Sequence, residues 1–123
     1  MTTVQSVYPR WLRQRVEITG SLKLGSGPGL DVHVVDLSVG SAFCETERKS
    51  PAGAHARLTL DLPGGGVTVD AVVTRSGTAL RAALHPELDQ LVVRAPGLGL
   101  RFLSVRAETR QRLEAYLTAV REA

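Results

Sequence analysis

The sequence predicts an all-β fold with a C-terminal helix, a small antiparallel barrel or half-barrel capped by that helix. Three observations predict it. Apolar residues recur at every second position through five or six short runs, glycine- and proline-rich turns separate those runs, and the end of the chain switches to helical spacing. A chain of 123 residues with 43% apolar side chains is long enough to bury one core.

Val16, Ile18, Leu22 and Leu24 alternate with Glu17, Ser21 and Lys23, which is the pattern of a strand with one buried face. Gly25-Ser26-Gly27-Pro28-Gly29 turns the chain into a second strand through Leu30, Val32, Val34 and Val35, and Ala42-Phe43-Cys44 reads as a third. Ala56, Leu58, Leu60 and Leu62 form a hairpin with Val67, Val69, Ala71 and Val73 across Pro63-Gly64-Gly65-Gly66. Residues 76–96 fit two patterns: a short helix over Thr78–Leu91, broken or started at His85-Pro86, or a strand at Leu91-Val92-Val93. Leu98, Leu100 and Phe102 give a last strand. Ser104 is positioned to cap a helix in which Leu113, Tyr116, Leu117 and Val120 share one face.

The composition narrows function. One cysteine, Cys44, forms no intramolecular disulfide, no apolar run reaches the length of a membrane span, and the start of the chain has no secretory pattern, so a cytoplasmic protein without membrane insertion is expected. His33, His55 and His85 have no ligand spacing to one another or to Cys44, which argues against a metal site. Asp36-x-Ser38 leads toward a strand and lacks the first glycine of a nucleophile elbow, and Leu30 replaces the third glycine of a dinucleotide fingerprint, so no catalytic residue and no cofactor are expected. The formal charge is +3, and residues 1–23 hold Arg10, Arg13, Arg15 and Lys23 against Glu17 alone. Such a local excess favours an anion site over a broad nucleic-acid surface.

Arg10, Arg13 and Arg15 precede the first strand, and Asp36-Leu37-Ser38-Val39-Gly40-Ser41 connects the second to the third. With Gly97-Leu98-Gly99-Leu100-Arg101-Phe102 before the final helix, this ordered set resembles the PilZ domain, a bacterial family whose known members sense cyclic di-GMP. The resemblance implies a six-stranded antiparallel PilZ-like barrel over residues 15–123, preceded by an arm at 1–14. It implies a ligand site drawn from Arg10, Arg13, Arg15, Asp36, Ser38 and Ser41. The chemistry is coherent, because a guanidinium meets guanine O6 and N7 at once, a carboxylate accepts from guanine N1 and N2, and phosphodiesters attract cations.

Both motifs depart from the family pattern. The family's Arg-x-x-x-Arg has Trp11 where the first arginine belongs, with Trp11 available to stack on a base. The glycine of Asp-x-Ser-x-x-Gly is replaced by Ser41, which strains the backbone if a positive φ is required there. The expected function is therefore a non-catalytic regulatory domain with weak or no cyclic di-GMP binding. It would act on another bacterial signalling or motility protein through protein–protein contacts in motility or surface behaviour. Two alternatives are a working cyclic di-GMP receptor, whose N-terminal arm folds over the ligand, and a small basic barrel that binds nucleic acid.

Overall fold

The computed structural model describes residues 13–83 and 91–122. The expected alternation builds β1 (Gln14–Leu24), β2 (Gly29–Leu37) and β3 (Ser41–Glu45), and the hairpin signals build β4 (His55–Leu60) and β5 (Val67–Ala83). β6 (Leu91–Phe102) and α1 (Ala107–Glu122) complete the order. Neighbouring strands are antiparallel and close in the order β1-β2-β3-β6-β5-β4, with β4 returning to β1 through Gly20–Leu24 against Ala56–Leu60. Closure satisfies the edges that an open sheet would leave unpaired.

Inward positions of every strand fill one core, in which Leu22, Val34, Leu58, Leu60, Leu100 and Phe102 are almost wholly buried. Leu113 and Leu117, one turn apart on α1, join the same cluster, so the helix plugs the barrel with the stripe its sequence predicts. Arg112 latches the helix to the β4–β5 turn, its Nη2 donating to the carbonyls of Pro63 at 3.1 Å and Gly65 at 2.6 Å. Gly64 and Gly65 adopt φ of 89° and 133° there, which side chains disfavour.

Two local expectations need correction. The helix over Thr78–Leu91 does not form in its described part: Thr78–Ala83 continue β5 and pair with Leu91–Pro96 of β6, while residues 84–90 lie outside the described residues. The alternative strand at Leu91-Val92-Val93 is the one observed. Pairing to a long neighbouring strand overrides the helical propensity of an alanine- and leucine-rich run. Ser104 does not cap α1, which begins three residues later, because Val105 first packs against the core and Arg106 then accepts the first helical hydrogen bond, from Arg110 N at 2.8 Å.

Cys44 sits inside the barrel, and burial pushes its thiol from an ordinary 9.0 up to about 12. The native thiol therefore stays protonated at neutral and mildly alkaline pH and is shielded from reagents. Because the folded value is raised, the contribution to stability is complete below the ordinary value and is lost as pH climbs toward about 12. Cys44 should react with a disulfide reagent only at the rate of global opening, and immediately once denaturant is added. A fast native reaction would place the thiol elsewhere.

Candidate ligand site

The segment after β2 is a tight connection organised by Ser38, a fully buried polar residue. Its amide donates to the Ser41 carbonyl at 2.8 Å, its Oγ accepts from the Gly40 amide at 3.1 Å, and the hydroxyls of Ser38 and Ser41 share a hydrogen bond of 2.9 Å. Val39 inserts into the core, and the Gly40 carbonyl accepts from Phe102 N at 2.8 Å, tying the turn to β6. Ser38 thus holds the loop shape rather than presenting an exposed hydroxyl. Ser38→Ala leaves the Gly40 amide without its acceptor and should cost roughly 1–3 kcal/mol in a denaturant melt. A change of a few tenths would mean that the turn holds without it.

No non-glycine residue among those described has a positive φ, so Ser41 carries none of the backbone strain expected from its replacing glycine. Ser41 is half-buried and opens β3 opposite Arg101.

Three register irregularities occur among the described strand pairings, and each changes which side chain faces out. Between β2 and β3, Val34 faces Cys44 and Asp36 faces Phe43; without the extra Val35, Asp36 would stand opposite the inward Ala42. Between β1 and β2, Ile18 faces Val34 and Arg15 faces Asp36, three steps against two. Between β5 and β6, Val73 faces Leu100 and Arg75 faces Gly99, so Thr74 is the extra residue. Bulges re-aim side chains in this way. The result is one row across five strands on the outer side of the sheet, Arg15, Asp36, Phe43, Gly99 and Arg75, in which Phe43 is itself buried, with Arg75 over its ring.

Arg15 and Asp36, the charged residues matched to the two sequence elements, are therefore direct cross-strand neighbours on the outer wall. Arg13, exposed just before β1, lines a cavity of about 610 Å³ together with Gly40, Ser41, Phe43, Arg75 and Arg101. Arg15 itself lines a neighbouring groove with Glu17, His33, Val35, Tyr116 and Val120, between the barrel wall and α1. Arg10 and Trp11 lie outside the described residues. Sequence reasoning missed Phe43, Arg75 and Arg101. A signal existed for Arg75: counting by twos from Ala71 and Val73 sends an arginine into the core, which only a bulge prevents. Among the described residues, no three histidine, cysteine, aspartate or glutamate side chains stand together as metal ligands.

Residues 8–119 match the family model of the PilZ domain. Among solved structures, the PilZ domain of YcgR from Escherichia coli, determined with c-di-GMP, is similar at 18% identity and a TM-score of 0.66, over 93% of this chain and 92% of that one. MotI (DgrA), the inhibitor of motility of Bacillus subtilis, is similar at 16% identity and 0.66, over 99% of this chain and 53% of that one. Apo MrkH of K. pneumonia is similar at 18% identity and 0.67, over 97% and 52%. The chain thus spans about half the length of MotI and MrkH. No curated protein matches the chain in sequence. At these identities the structural likeness establishes the fold.

Proposed function

This chain belongs to the PilZ domain family, and on that premise we propose that it is a non-catalytic cyclic di-GMP receptor module that binds its ligand on the outer barrel wall and signals through changed contacts with another protein. The observation that carries this reading is the pairing of Arg15 with Asp36 on that wall, made possible by two bulges that would otherwise be gratuitous breaks in the ladder. A planar cation beside a carboxylate supplies donors for guanine O6 and N7 and an acceptor for N1 and N2. Arg13 places further positive charge where phosphodiesters would lie. No helix among the described residues is long and apolar enough to cross a membrane.

A second reading is favoured by one observation: Trp11 stands four positions before Arg15, where the family's other arginine is expected. On that reading the domain has lost useful affinity and acts as an interaction module in motility or surface behaviour. Calorimetric titration with cyclic di-GMP separates the two. Saturable binding in the micromolar range or tighter supports the receptor; no heat at millimolar ligand supports the interaction module.

A further inference from the structure

Resting on the receptor reading, we propose that Arg75 supplies the second guanidinium of the ligand site, in place of the arginine missing at position 11, and that a guanine stacks on its outer face. Arg75 lies far from both sequence elements, on β5, and reaches the outer wall only because the bulge at Thr74 brings it opposite Gly99.

The surface beneath it is built to receive a flat cation. The guanidinium carbon lies 5.1 Å from the centroid of the Phe43 ring, within the range of a cation–π contact. Phe43 lies in turn against Gly97, where any added Cβ would come within 2.6 Å of the ring. The Arg75 side chain runs over two further glycines: a Cβ at Gly77 would overlap its Nη1, and one at Gly99 would sit 3.3 Å from its Cγ. Gly77, Gly97 and Gly99 therefore form a trench, and Phe43 and Arg75 lie down in it.

Other arginines of the barrel show the contrast. Arg57 donates to Asp70 at 3.1 Å and Arg110 to Glu114 at 3.3 Å, whereas Arg75 makes no ion pair among the described residues. Its charge is not neutralised, and the exposed side chain rests over the Phe43 ring. A guanidinium held this way loses little conformational freedom when a base stacks on it. Arg13, Arg101 and Ser41 border the same cavity and fit the anionic part of a nucleotide. Four interstrand steps separate Arg15 from Arg75, about 19 Å of curved wall. That span suits a ligand carrying two bases on opposite sides of a ring, one at each guanidinium.

The test is calorimetry with cyclic di-GMP on the wild type, Arg75→Ala, Arg75→Lys and the paired surface arginine Arg57→Ala, with thermal melts confirming that each is folded. Loss of one arginine–guanine contact should raise Kd about 10- to 100-fold in Arg75→Ala. Arg75→Lys should recover little, because charge without a plane cannot stack, and Arg57→Ala should bind as the wild type does. Wild-type binding with Arg75→Ala within about twofold overturns the assignment and leaves the receptor reading intact. If the wild type does not bind cyclic di-GMP, the receptor reading falls, and the Arg75 Nε–Hε NMR resonance is followed during titration with 5′-GMP. A saturable shift supports Arg75 as a guanine-receiving group; its absence overturns that as well.

Discussion

Gly97→Val should destabilise the domain by roughly 3 kcal/mol, the upper range for overpacking a core. The glycine stands where three strands meet, paired with Glu45 of β3 on one side and Gly77 of β5 on the other. A Cβ there would overlap the Cys44 carbonyl oxygen and press on the Phe43 ring. A flexible side-chain end could yield, but a carbonyl already committed to the sheet ladder cannot, so relief requires separating β3 from β6. For a domain of this size the melting temperature should fall by about 10 °C. A drop of only a degree or two would mean that the strands do not approach as closely as the structure has them. Because Phe43 supports Arg75, the milder Gly97→Ala should also weaken ligand binding in proportion to how far the ring is displaced.

Arg15→Ala should raise the Kd for cyclic di-GMP by about a hundredfold or more, the equivalent of roughly 2.7 kcal/mol. The effect combines a lost bidentate contact with a base and the removal of a cation from the wall that faces the phosphodiesters. It also leaves Asp36 across the ladder without a cation opposite it, so a negative charge faces an anionic ligand. Arg15→Lys restores charge but not the planar fork and should recover only part of the affinity. Arg57→Ala, on β4 outside the row from Arg15 to Arg75 and paired with Asp70, should change Kd by less than about twofold. Equal losses for Arg15 and Arg57 would reveal a nonspecific charge effect instead of a site.

How much of this was legible in the sequence follows from which signals are local. Val16, Ile18 and Leu22 announce a half-buried strand by alternation alone, and Pro63-Gly64-Gly65-Gly66 announces a hairpin by turn chemistry. The helix stripe at Leu113 and Leu117 is equally local. Residues 78–83 were ambiguous because their composition suits a helix, and only pairing with Leu91–Pro96, distant in the chain, holds them extended. Ser104 looked like a cap because its hydroxyl suits the role. What it lacked was a neighbour free to begin the helix, since Val105 is drawn to the core.

The site was half legible. Arg15 and Asp36 could be named from spacing, but their adjacency depends on bulges that exist only when strands are laid side by side. Ser38 was a candidate for either ligand or turn, and its burial under three local hydrogen bonds fits the turn. The strain expected at Ser41 rested on the assumption that its position needs a positive φ, which the backbone does not adopt. Arg75 could not be linked to Arg15 from the sequence at all, since 60 positions separate residues that the barrel places on one row.

On the proposed reading a cyclic dinucleotide lies across the row from Arg15 to Arg75. Titrating isotope-labelled protein with cyclic di-GMP and following each backbone amide tests it most directly. Saturable shifts should concentrate at residues 13–15, 36–43, 74–77 and 97–101, with the β4–β5 turn still. Shifts confined to α1 and that turn, or none at millimolar ligand, would contradict it.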